Sequence, residues 1–295
     1  RSPDHSPPPG LPIEIIRSTD RRASAATSGS TWTSSLPSRR QRNSAAGVFT
    51  FNRFCAAPVQ WSRKTVADGH IKAVILNSGG ANACTGQAGY EQSAATAKKV
   101  AELVGTQPDE IAVCSTGLIG ELLPLDHVLS GVESAYAALS DDDQAGSDAS
   151  HAIMTTDTKS KTVSLEGDGY RIGGMVKGSG MIAPQLATML CVITTDAAVG
   201  AGQLQAALNA AVDHSFNIDV DGCMSTNDTV LLLASGASGV EPDPDEFNAL
   251  VAKACASLAR QIIGDGEGAS HDVRITVTGA ANISGTPTLQ IKQCP

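Results

Sequence analysis

The run Lys177-Gly178-Ser179-Gly180-Met181-Ile182-Ala183-Pro184-Gln185-Leu186-Ala187-Thr188-Met189-Leu190 changes character halfway. Its first part is punctuated by glycine, and Pro184 closes it as a turn. Its second part leads into an apolar stretch that predicts a strand over 188–194. Thr188 therefore stands where a loop meets a buried strand. The glycines do not form a phosphate loop. No Gly-Lys-Ser/Thr ends a Walker motif, and no GxGxxG opens a helix after a strand. A threonine hydroxyl is a poor nucleophile while it stays protonated. If the Ala187–Thr188 bond opens, Thr188 gains an α-amine with a pKa of roughly 7.7–8.0. That amine can serve as base for its own hydroxyl. Ala187 is small enough to leave room for tetrahedral geometry at its carbonyl. On spacing alone, an ordinary strand threonine is the simpler reading.

Outward from this run, strands and helices alternate. Apolar stretches predict strands over 46–51, 71–76, 111–114, 229–233 and 273–277. Spacing near 3.6 predicts helices over 90–104, 125–139, 204–214 and 246–263, with Gly105 as a stop signal after the first. Residues 163–165 and 170–173 read as a hairpin around Gly167-Asp168-Gly169. Asn77-Ser-Gly-Gly-Ala-Asn82 reads as a polar loop and Ser115-Thr116-Gly117 as a turn. The order is α/β, with strands enough for stacked mixed β-sheets covered by helices.

The chain has 295 residues, 41% hydrophobic and 3% aromatic, so its core must be built from small and aliphatic side chains. A net charge of −9 argues against a nucleic-acid partner, and no apolar run is long enough to span a membrane. No secretory signal is present, and a cytoplasmic location is expected. Seven cysteines lie far apart with no zinc-ligand spacing, which predicts buried, reduced thiols and no metal. Residues 1–44 hold seven arginines against three acidic residues, a net charge of +4 that leaves −13 for the rest. Rich in Ser and Pro, they lack periodicity and are expected to be disordered. Residues 280–295 lose the pattern and are read as a tail.

Several segments together resemble the ornithine acetyltransferase family of arginine biosynthesis. They are Ala45-Ala-Gly-Val-Phe-Thr50, Leu76-Asn-Ser-Gly-Gly-Ala-Asn-Ala-Cys-Thr-Gly86, Val113-Cys-Ser-Thr-Gly-Leu-Ile-Gly120, His151-Ala-Ile-Met-Thr-Thr-Asp157, the run ending at Leu190, and Ser225-Thr-Asn-Asp-Thr229. The resemblance runs from about Ala45 to Gly279. It implies an N-terminal-nucleophile-like architecture and self-cleavage between Ala187 and Thr188. The α-chain would then be 45–187, and the β-chain region 188–279 would begin at the nucleophile Thr188. It implies an oxyanion hole from Thr116 and Gly117, and substrate contacts from Thr155, Lys177, Thr188 and Glu267. Lys177 suits a substrate carboxylate and Glu267 an α-amine. The implied reaction moves acetyl from N-acetylornithine to glutamate, or takes it from acetyl-CoA in some relatives. No cofactor is implied, and the assembly would be a heterotetramer of two α and two β chains. Family members continue past the last matched strand, so a further C-terminal portion is expected. The alternatives are an N-terminal-nucleophile amidohydrolase or aminopeptidase, in which water replaces glutamate, and an inactive truncated remnant.

Overall fold

The computed structural model describes residues 13–17, 43–140, 143–183, 186, 189–269, 271–275 and 289–293. In chain order these form β1 (Ile13–Arg17), β2 (Ser44–Phe49), α1 (Ala57–Thr65), β3 (Ala73–Gly80), α2 (Gly86–Val104) and β4 (Ile111–Leu118). There follow α3 (Leu125–Ala137), α4 (Asp143–Ala152), β5 (Lys161–Glu166), β6 (Arg171–Lys177) and β7 (Leu190–Thr195). The last are α5 (Ala201–Ser215), β8 (Ile218–Asp219), β9 (Thr229–Ala234), α6 (Pro244–Ile263), β10 (His271–Ile275) and β11 (Leu289–Gln293).

Two sheets stack face to face, and the alternation of side chains along each strand fixes what lies on either side. The larger sheet has the order β2-β9-β7-β6-β5, and a smaller one has the order β1-β3-β4. From the smaller sheet, Val74, Leu76, Ala112 and Cys114 meet Met175, Leu190, Val192, Leu231 and Leu233 of the larger. The alternate residues Ala73, Ile75, Ile111 and Val113 face outward onto Ala97, Val100 and Ala101 of α2 and Val128 and Val132 of α3. On the far side, Cys191, Ile193, Val230 and Leu232 face Leu204 and Leu208 of α5 and Leu258 and Ile262 of α6. The layers run helix, sheet, sheet, helix. Strands β3, β4, β7 and β9 are buried on both faces, so their sequences are continuous apolar runs. The stacked, mixed, helix-covered architecture expected from the sequence is the one observed. β7 pairs parallel with β9 and antiparallel with β6. A third sheet has the order β10-β11-β8.

Several local expectations need correction. Asn77 to Gly80 is not loop but the end of β3, and Ser115 to Leu118 is the end of β4. Their polar composition reads as turn, yet parallel pairing between the two strands carries the ladder through them. Residues Ile13–Arg17, inside the segment expected to be disordered, pair antiparallel with β3 as an edge strand. Residues Leu289–Gln293, inside the expected tail, pair with β10 and β8. Helices α1 and α4 were not anticipated. α1 has only nine residues and starts with Pro58 in its first turn. The thiols divide: Cys114, Cys191 and Cys255 are buried as expected, Cys55 is half-buried, and Cys84 and Cys223 are exposed. All six are free, and Cys294 lies outside the described residues.

Candidate active site

Strand pairing and sheet stacking bring the ends of five strands to one edge. Lys177 at the end of β6 lies beside Leu190 at the start of β7, which lies beside Thr229 at the start of β9. The ends of β3 and β4, parallel to each other, reach the same place from the second sheet. There a cleft of about 340 Å³ is lined by Thr116, Gly117, Thr155, Lys177 and Glu267, together with Asn227, Asp221 and Gly180. Five of the sequence-predicted site residues are thus brought together. Ala187 and Thr188 lie outside the described residues.

Lys177 is 3% exposed. Its Nζ donates to Thr155 Oγ1 at 2.6 Å and to Thr116 Oγ1 at 3.3 Å, and lies 3.7 Å from Asp157 Oδ2. An ammonium only donates, so both hydroxyl oxygens act as acceptors in these contacts. Their own hydrogens remain available to donate elsewhere. Burial and the nearby Lys161 charge lower the Lys177 pKa, while Asp157 and Asp228 pull it upward.

Gly117 follows Thr116 with φ of 128°, a left-handed conformation that disfavours other residues. A Cβ there would lie 2.3 Å from the Gly79 carbonyl carbon. The β3–β4 register shifts at Gly79 and Gly80, so the glycines serve a close crossing of two strand ends. Asn227 pins that crossing: its Nδ2 donates to Ala81 O at 2.7 Å and Ser115 O at 2.8 Å. Glu267 reaches the cleft because its backbone N–H donates to Ser179 O at 2.8 Å. A Cβ on Gly180 would lie 2.8 Å from Glu267 Oε2, so the glycine leaves space for that carboxylate.

The sequence reads Asn227 and Asp228, between two strands, as a brace for the site, and does not place the Asp157 group there. Asp228 is fully buried, and its Oδ1 accepts the Met189 N–H at 3.3 Å. Among the described residues its Oδ2 has no hydrogen-bond partner. Burial pushes its carboxyl up to about 8, and the nearby Ser225 hydroxyl, the Met189 N–H, the Thr50 hydroxyl and the Lys177 charge offset this only in part. Met181 (φ 57°) and Leu186 (φ 139°) are non-glycine residues in the left-handed half of backbone space, on either side of Pro184. Such conformations cost of order 1–3 kcal/mol each and cluster where chains are held under strain. Among the described residues no group of three or more His, Cys, Asp or Glu is placed to hold a metal ion. No described helix is long and apolar enough to cross a membrane.

The arrangement offers a buried cation, two polarised hydroxyls and a carboxylate around one small space, beside the start of a buried strand. Comparison with known proteins agrees in family. The ArgJ family model matches residues 35–289, wider at both ends than the 45–279 stretch of the sequence resemblance. The arginine biosynthesis bifunctional protein ArgJ of Bifidobacterium longum (strain NCC 2705) is 78% identical over 242 residues, covering 81% of this chain and 62% of that protein. The protein of the same name from Thermobifida fusca (strain YX) is 53% identical over 248 residues, covering 84% and 64%. This chain therefore spans less than two thirds of the length of these relatives. The crystal structure of ornithine acetyltransferase complexed with ornithine from Mycobacterium tuberculosis has 38% identity and a TM-score of 0.49, covering 62% of this chain and 94% of that one. With a family match that takes in every residue of the cleft, the chain belongs to the ArgJ family.

Proposed function

We propose that this chain carries the catalytic core of an acetyltransferase that moves acetyl from N-acetylornithine to glutamate through an acetyl-Thr188 intermediate. Family membership supports the reading, as do relatives named for arginine biosynthesis. The observation that carries it is the contact of Lys177 Nζ with Thr116 and Thr155. The ammonium fixes both hydroxyl oxygens and leaves their hydrogens free to serve a developing negative oxygen.

Self-cleavage comes first. The Thr188 hydroxyl adds to the Ala187 carbonyl carbon, the C–N bond to Thr188 breaks, and the hydroxyl proton ends on the freed amine. Water then cleaves the resulting ester, which leaves an Ala187 carboxylate and a free Thr188 hydroxyl. The new α-amine of Thr188 then acts as base for its own hydroxyl. Attack on N-acetylornithine places acetyl on Oγ1 of Thr188, and ornithine leaves carrying the proton on its amine. The glutamate amine attacks the ester, the bond from acetyl to Oγ1 of Thr188 breaks, the amine proton returns to Oγ1, and glutamate departs acetylated. The Thr116 hydroxyl and Gly117 N–H receive the negative charge of each tetrahedral oxygen. Lys177 holds a substrate carboxylate and Glu267 an α-ammonium. The acetyl group rides on the protein throughout, so the scheme uses no cofactor. The two products of cleavage assemble as paired α and β chains, giving a heterotetramer whose mass a native spectrum reads directly.

An assay with N-acetylornithine and glutamate tests the reaction. Formation of N-acetylglutamate together with ornithine is the expected result. Release of acetate instead would move the chain to the hydrolase class, and neither product would mark a non-catalytic remnant.

A further inference from the structure

Behind Lys177 lies a second buried lysine, and one carboxylate stands between the two. Lys161 is 0% exposed. Its Nζ donates to Asp157 Oδ1 at 2.6 Å, Asp265 Oδ2 at 2.5 Å and Lys159 O at 3.4 Å, so each of its donors is occupied. Asp265 is gripped in turn by the backbone N–H of Thr158 at 3.0 Å and by the Thr158 hydroxyl. Asp157 also accepts the Gly178 N–H at 2.7 Å through Oδ1 and the Thr155 N–H at 3.1 Å through Oδ2. Gly178 is the residue after Lys177, and Thr155 is its closest hydroxyl partner. A single side chain thus holds the backbone on both sides of the Lys177–Thr155 hydrogen bond.

We propose that Asp157 is a positioning residue that sets both the aim and the charge of Lys177, with the Lys161–Asp265 pair holding Asp157 in place. The inference deepens the proposed function and rests on it for the use made of Lys177. Two buried ammoniums share the Asp157 carboxylate. Each charge is felt strongly because little water screens it. Asp157 favours the protonated form of Lys177, and Lys161 opposes it. Burial alone would raise the Asp157 carboxyl, but Lys177, Lys161 and the Gly178 N–H hold it below the ordinary range. The other groups facing Lys177 are the hydroxyls of Thr116 on β4 and Thr155 after α4, and the Asp228 carboxyl ahead of β9. Glu267, after α6, and Asp221 line the same cleft. Of the two carboxyls that favour the charged Lys177, Asp157 acts more strongly than Asp228.

A buried ion pair often has only a scaffolding role, and the two roles differ in one readout. The charge role requires that removing Asp157 and removing Lys161 move Lys177 in opposite directions. The experiment is an NMR titration of the whole chain with ¹⁵N-labelled lysine side chains, the Lys177 signal being assigned by its loss in Lys177→Arg. Asp157→Asn is expected to lower the Lys177 titration midpoint, and Lys161→Met to raise it, each by at least about one pH unit. Equal-direction shifts, or none, in folded variants overturn the proposal. If Asp157→Asn does not fold, Lys161→Met decides alone: an upward shift supports the proposal and any other result overturns it. The titration needs no turnover. A chain that titrates as stated but transfers no acetyl refutes the proposed function and leaves this inference standing.

Discussion

In the proposed reaction Thr116 and Gly117 receive the negative charge of the tetrahedral oxygen, and each is open to a single-residue test. Thr116→Val removes the hydroxyl and keeps the shape, and turnover should fall about 10²–10³-fold, the usual loss for one oxyanion donor. Thr116→Ser should keep most of it. Steady-state kcat for the pair checks this, and equal activity of Val and Ser would remove Thr116 from the oxyanion role. Gly117→Ala should be damaging in another way, because the added methyl meets the Gly79 carbonyl carbon at 2.3 Å. A loss of stability of about 1–3 kcal/mol alongside lost turnover is expected, read by denaturant unfolding. Asp228 gives a pH signature. Its carboxyl titrates near 3.8 when unfolded and at about 8 in the fold. Between those values the native state holds a proton that the unfolded chain releases, so stability falls as pH rises across the window. Asp228→Asn should flatten that slope between pH 5 and 8 in urea titrations. An unchanged slope would mean that Asp228 keeps an ordinary carboxyl.

At the scale of elements, the buried strands should dominate stability. Ile193 in β7 is fully buried against the α5–α6 layer, so Ile193→Ala should cost about 2–5 kcal/mol. Asp243 caps α6 by accepting from the N–H groups of Asp245 and Glu246 at 3.0 Å each. Asp243→Ala should cost only about 1 kcal/mol. Chemical denaturation of the two variants compares them, and a cap loss equal to the core loss would contradict the layering. The same distinction explains what the sequence disclosed. Strands β3, β4, β7 and β9 were legible because burial on both faces demands unbroken apolar runs. The ends of β3 and β4 were not, since Asn77, Ser115 and their glycines carry loop composition. A partner strand holds them extended, and no local signal records a partner. The site shows the same split. Thr116, Thr155, Lys177 and Glu267 were singled out through the family resemblance, and the fold gathers them in one cleft. The Lys161–Asp265 pair was not, because 104 positions separate residues that only the fold makes neighbours.

For the whole molecule, the stacked sheets do one thing that neither could do alone. One sheet delivers Thr116 and Gly117, the other delivers Lys177, and the two meet at the edge where β7 begins. The central claim is that this edge holds a nucleophile made by the chain's own cleavage. Thr188 and Ala187 lie outside the described residues, so the claim is tested best by mass rather than by geometry. Intact-mass spectrometry of the purified chain, before and after N-acetylornithine, is the most direct measurement. The account predicts two fragments divided between Ala187 and Thr188, with one acetyl group added to the fragment that starts at Thr188, and a single uncut chain for Thr188→Ala. Cleavage that persists in Thr188→Ala, or an acetyl group on any other residue, would contradict it.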